Sequence, residues 1–197
     1  ILAALLWSGD GILRRGLYSL PPAVVVFYEH VLGALILTPI LFRLRTEIFG
    51  MKRKEWIAII LVSLFSGALG TIFYTAALGM VQYIQFSVVV LLQQLQPIWA
   101  ILAAALLLKE KLNKQFIVWA ILAIGASYLV TFRDLHANIT QNSGTLIAAF
   151  LALSAGFVWA VSTSFSKIVL SKVSFVTATG LRFWIAPAFA LLLTLTW

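Results

Sequence analysis

Cysteine is absent, which excludes disulfides, thiolate metal sites and cysteine nucleophiles. Histidine occurs only at His30 and His136, too few for a multi-histidine metal centre, so neither a metal nor a cofactor is expected. Charge is scarce. Asp, Glu, Lys and Arg make up 10% of the chain, where a soluble domain carries about a quarter. Apolar residues fill the space, at 62% of 197 residues and a mean hydropathy of +1.06, and a water-soluble globular fold is excluded. Acids are rarer still than bases, leaving a net charge of +8. In so apolar a chain that excess fits loops against an anionic lipid surface, with no nucleic acid as partner. HExxH, GxSxG and paired aspartates are missing, so the chain does not read as an enzyme.

Crossing about 30 Å of hydrocarbon takes roughly 20 largely apolar residues in a helix. Seven such stretches are present, at 1–19, 22–42, 56–80, 86–108, 114–132, 144–166 and 175–197. Their apolar runs are continuous and do not alternate, which excludes a β-barrel. The expected fold class is therefore all-α, a polytopic transmembrane helical bundle. Basic residues set the orientation. Arg43, Arg45, Lys52, Arg53, Lys54, Lys109, Lys111, Lys114, Lys167 and Lys172 fall on one side, and Arg14, Arg15 and Arg133 on the other. The richer side should be cytoplasmic, which puts the N-terminus inside and the 133–143 loop outside a cytoplasmic (inner) membrane. The chain lacks an initiator Met and stops at Trp197 within an apolar span, so it reads as a piece of something longer.

A faint internal repeat accompanies these spans. Trp7 and Trp159 lie 152 positions apart, and at the same offset Asp10, Gly11 and Arg14 correspond to Ser162, Thr163 and Ser166. Glu29-His30 likewise corresponds to Leu181-Arg182. Five spans from the first to the sixth reverse the direction of travel, so the copies are inverted, as in many secondary transporters.

Family-like motifs point the same way. Tyr74-Thr75-Ala76-Ala77-Leu78 closes the third span, and the fourth runs Leu91-Leu92-Gln93-Gln94-Leu95-Gln96-Pro97-Ile98-Trp99 on to Leu108-Lys109-Glu110-Lys111-Leu112. With Trp159-Ala160 and Leu181-Arg182-Phe183, these stretches resemble the EamA-type transporters of the drug/metabolite transporter superfamily. The resemblance implies ten helices in two five-helix inverted repeats, with residues 1–142 forming the first repeat and 143–197 the start of the second. It further implies a carrier working by alternating access on a small metabolite such as an amino acid, as an exporter. The chain departs from the family pattern at Val81-Gln82-Tyr83-Ile84-Gln85-Phe86, where small residues are usual, and at Glu29-His30.

Ionisable groups inside a span cost at least about 2.5–3.5 kcal/mol and each needs a reason. Asp10 and Arg14 are four apart and can pair on one helix face, either lining a cavity or neutralising each other near the interface. Glu29 and His30 can carry a coupled proton, since imidazole titrates near neutrality, or can bond neighbouring helices. Arg182 is too deep to reach the interface easily, and pairs with Glu29 or Asp10 for assembly and gating or grips an anionic group. Gln93, Gln94 and Gln96 precede Pro97, which can bend the fourth span, and amides are suited to neutral recognition. The expected substrate contacts are Gln93, Gln96, Asp10, Ser162, Ser166, Tyr74 and Trp159, near the midplane where the repeats meet. Glu29, His30, Arg14, Arg182 and Pro97 are expected to couple or gate.

Other residues read as scaffold. Gly33, Gly67 and Gly70 suit close helix approach, and Trp56, Trp119 and Trp197 suit the interfacial belt. Glu110 between Lys109 and Lys111 suits a helix-end ion pair, and Asn138-Ile139-Thr140 matches a common glycosylation pattern. A seven-helix receptor fits poorly, because its N-terminus would lie outside and 175–197 offers no lysine for a retinal. A channel is the nearer alternative, separated from a carrier by saturable counterflow.

Overall fold

The computed structural model describes residues 9–108, 113–131 and 143–195, and within them every regular element is helical. Residues 9–14 form α1 and lead into a 3-10 turn at Arg15–Leu17. There follow α2 (Pro22–Arg43), the short α3 (Arg45–Phe49), α4 (Arg53–Gly79), α5 (Phe86–Gln93), α6 (Gln96–Leu108), α7 (Lys114–Thr131), α8 (Ser143–Leu170) and α9 (Phe175–Thr194). Five of these, α2, α4, α7, α8 and α9, are long and apolar enough to cross a membrane. Their exposed faces carry residues such as Ile36, Phe42, Trp119 and Phe150, which is acceptable only where the surrounding solvent is lipid. An all-α, polytopic membrane protein is what the sequence led us to expect. Trp7, Lys109, Glu110, Lys111, Arg133, the Asn138–Thr140 pattern and Trp197 lie outside the described residues.

Local chemistry explains where helices start and stop. Pro22 opens α2 at a position where its missing N–H is no loss, and Arg43 closes it at the negative end of the helix dipole. The fourth expected span is two helices, because Gln94 and Leu95 form a turn between α5 and α6. Pro97 therefore occupies the first turn of α6 and does not kink a continuous helix. Within α4, residues Ser63–Gly70 wind as a wider π turn. The hydroxyl of Thr71 donates to the carbonyl of Ser66 at 3.0 Å, five residues back, and satisfies an acceptor that the widened turn frees.

The chain forms two compact units, and the division falls inside α4 after Ile72 and inside α8 after Ala160. The first contains residues 1–19 and 73–160. Its core joins Tyr74, Leu78, Val89 and Leu92 to the alanine stripe Ala148, Ala152 and Ala155. The second contains residues 20–72 and 161–197, with apolar clusters around Val26 and Ala68 and around Ile59 and Val169. Small residues set its spacing. A Cβ on Gly67 would come within 2.6 Å of the Ala186 Cβ, and one on Gly33 within 2.9 Å of the Phe183 ring. Trp184 Nε1 donates to Thr38 Oγ1 at 3.0 Å, tying α9 to α2.

The second unit also has a link outside the spans. Ser174 caps α9 by accepting from the Thr177 N–H, and the Ser174 N–H donates to Glu47 Oε2 at 2.7 Å. The Ser174 N–H, and after it the Thr177 hydroxyl, hold the Glu47 carboxyl below the usual glutamate range. A depressed carboxyl stabilises the fold above its unfolded value, about 4.3, and loses that contribution as pH falls through the folded value. Glu47→Gln should therefore lower the thermal midpoint at pH 7. The gap from wild type should close below about pH 4, and a gap that persists in acid would rule out the carboxylate.

Candidate functional site

In the first unit Arg14 of α1 reaches Thr75 of α4, next to Tyr74, which packs on Trp159 of α8. Arg14 is buried, and its Nε donates to Asp10 Oδ2 at 2.7 Å within one helix turn. Its Nη1 donates to Thr75 Oγ1 at 2.9 Å, so the guanidinium does not run out to the interface. Asp10, Arg14 and Tyr18 all act electrostatically on the Tyr74 hydroxyl, which places the four groups in one neighbourhood. The Tyr74 ring lies 5.5 Å from that of Trp159 at 55°.

The glutamines approach the same stretch of α8. Gly156 lies so close to α5 that an added Cβ would be 3.0 Å from the Gln93 carbonyl oxygen. Trp159 follows one helical turn later, and Trp99 of α6 meets Phe157 edge-on at 5.8 Å. Gln93 is buried, and its Nε2 reaches Gln96 Oε1 at a long 3.4 Å. Gln93 Oε1 and Trp99 Nε1 are buried without a hydrogen-bond partner among the described residues. Buried polar atoms are rarely left without a partner, so these two have hydrogen-bonding capacity to spare. Asp10, Arg14, Tyr74, Trp159, Gln93, Gln96 and Pro97 thus belong to one compact unit.

Glu29, His30, Ser162, Ser166 and Arg182 belong to the second unit. His30 Nδ1 lies 2.9 Å from the Val26 carbonyl, and its ring is 4.9 Å from that of Phe183. Arg182 Nη1 donates to Ser66 Oγ at 3.5 Å, and Glu29 acts on the guanidinium electrostatically. The π turn of α4 supplies both Ser66 and Gly67, and a Cβ on Gly67 would be 3.4 Å from Arg182 and 3.6 Å from His30 Nε2. A π turn beside two ionisable side chains is a common setting for function. Ser166 donates to the Ser162 carbonyl at 3.1 Å, and Ser162 Oγ is buried without a partner among the described residues.

Several of these contributors escaped sequence reasoning. Thr75 and Ser66 are ordinary hydroxyl residues in an apolar run, and their partners lie 61 and 116 positions away. Gly156 could have been noticed as one more small residue one turn before a tryptophan, but nothing marked its neighbour as Gln93.

Residues 1–132 match the model of the EamA-like transporter family. The riboflavin transporter ImpX of Fusobacterium nucleatum subsp. nucleatum is 40% identical over 186 residues, which cover 92% of this chain and 62% of that protein. The chain thus spans less than two thirds of the relative's length. No solved structure matches it. With two thirds of its length matched by the family's own pattern and multi-pass apolar helices to accompany it, this chain belongs to the EamA-like transporter family.

Proposed function

We propose that the protein is a secondary carrier working by alternating access in the cytoplasmic membrane, with its N-terminus inside. We further propose that its solute is riboflavin or a similarly flat aromatic with polar edges. The 40% identity to a riboflavin transporter supports the solute class. The observation that carries it is local: among the described residues Gln93 Oε1 and Trp99 Nε1 are buried without a hydrogen-bond partner, while Tyr74 and Trp159 form an aromatic pair in the same unit. Aromatic rings hold a planar ring system by stacking, and amides read its carbonyl and N–H edge. Gln96 is the natural second amide, because its bond to Gln93 is long enough to give way to a ligand. Asp10 and Arg14 would orient Tyr74 and gate the site. On the repeat symmetry alone, Ser162 and Ser166 are the counterparts of Asp10 and Arg14, within the reading of 1–142 and 143–197 as successive inverted repeats.

Proton coupling, if the carrier uses it, falls to Glu29 and His30, with Arg182 and the Gln94–Leu95 turn before Pro97 as gating elements. Uptake and efflux are one mechanism run in two directions, and export rests on the family resemblance.

Counterflow of labelled riboflavin into proteoliposomes of the intact protein tests the reading. Saturable counterflow is expected, with amino acids as poor competitors. Gln93→Ala should raise KM about tenfold, the scale of one hydrogen bond to a buried group. Flux without counterflow would point to a channel, and counterflow of amino acids but not riboflavin would overturn the solute.

A further inference from the structure

Arg182 also faces a feature that the carrier reading leaves unused. It lines a cavity of about 100 Å³ in the second unit, together with Ser166 of α8, Thr179 of α9 and apolar side chains that include Ile59, Val62 and Phe175. That volume leaves room for a group of a few heavy atoms. No carboxylate is among the lining residues.

The guanidinium is under-used. It carries five N–H donors, yet Nε is buried with no partner among the described residues and Nη1 makes only the 3.5 Å contact to Ser66. Glu29 acts on it electrostatically, but Glu29 does not line the cavity. A cation with donors to spare, beside a half-open pocket with largely apolar walls, favours an anion there, because low polarity strengthens each charge-assisted bond. The two hydroxyls narrow the choice. Thr179 has a proton to donate, whereas the Ser166 proton already goes to the Ser162 carbonyl, so Ser166 offers lone pairs. An anion that accepts from Arg182 and Thr179 and donates to Ser166 must itself carry an O–H.

We propose that this cavity binds a hydrogen-phosphate group, held by Arg182 through its planar fork and by the hydroxyls of Thr179 and Ser166. The site is separate from the aromatic solute's and stands whether or not riboflavin is the cargo. The phosphate can come free from solution or from a phospholipid headgroup with a terminal phosphate.

Thermal unfolding of the intact purified protein, at constant ionic strength, decides. Inorganic phosphate should raise the midpoint saturably, as expected for a ligand of the folded state, while chloride should not. Arg182→Lys keeps the charge without the fork and should weaken the apparent phosphate affinity about tenfold. Thr179→Val should weaken it about threefold, and Arg182→Gln should abolish the response. Nanodiscs containing phosphatidic acid supply the second arm. Stabilisation there that is lost in Arg182→Lys, without any response to free phosphate, identifies the headgroup as the source. The proposal is overturned if phosphate and chloride act alike and phosphatidic acid has no Arg182-dependent effect. It is equally overturned if Arg182→Lys and Thr179→Val both respond as wild type does, since the cavity then holds water only.

Discussion

Asp10→Ala should destabilise the protein by about 3 kcal/mol, read as a shift in the denaturant midpoint of the micellar protein. Removing one partner of a buried ion pair typically costs about 3–5 kcal/mol, because the other charge is left buried without compensation. The low end applies here, since the Asp10 side chain is 41% exposed while that of Arg14 is 7% exposed. Thr75 still accepts from Nη1 in the variant, but a neutral hydroxyl does not replace a carboxylate. The diagnostic comparison is the double variant. Asp10→Asn with Arg14→Met removes both charges and keeps most of the volume, and should recover much of the lost stability. If the double variant is worse than Asp10→Ala, the pair is more than a mutual neutralisation, and the electrostatic link from both groups to Tyr74 becomes the place to look.

That pair was legible in the sequence because of what surrounds it. In hydrocarbon a charge is costly enough to stand out, and four-residue spacing on a helix predicts its partner. The same logic found Glu29, His30 and Arg182, but it could not choose Arg182's partner, because Glu29 and Asp10 were equal candidates by depth. Asp10 is bonded to Arg14, whereas Glu29 is the acid that acts on Arg182. Distances along the chain set the limit. Helical spans follow from local composition, whereas contacts such as Glu47 to Ser174, 127 positions apart, depend on how helices pack. Pro97 was legible only in part: the span is interrupted beside it, but as a break and not as a bend. A proline inside an apolar run removes the bond to the carbonyl four residues back. Here the helix stops at Gln93 and restarts at Gln96, leaving Pro97 in a first turn where proline costs nothing. The widened turn of α4 left only Gly67, Gly70 and Thr71 as hints, and apolar spans are full of such residues.

The glycine of that turn carries the other large effect. Gly67→Leu should prevent folding or cost at least the upper part of the roughly 1–3 kcal/mol typical of overpacking. The obstacle is specific. The first added carbon already sits 2.6 Å from the Cβ of Ala186, an atom fixed to the α9 backbone that cannot rotate away. Relief therefore requires α4 and α9 to separate, which loosens Arg182 and His30, each within 3.6 Å of the same point. Gly33 makes the useful contrast, because its nearest obstacle at 2.9 Å is the Phe183 ring, which can swing about its own side-chain bonds. Gly33→Ala should cost less than Gly67→Ala. Ala186→Gly should rescue Gly67→Ala, since it deletes the one carbon in conflict, and the coupling between the two should exceed about 1 kcal/mol in a double-mutant cycle. The readout is the unfolding midpoint of each variant in the same detergent. Additive effects would mean that α4 and α9 do not meet at Gly67. The π turn would then need another explanation than bringing Ser66 within reach of Arg182.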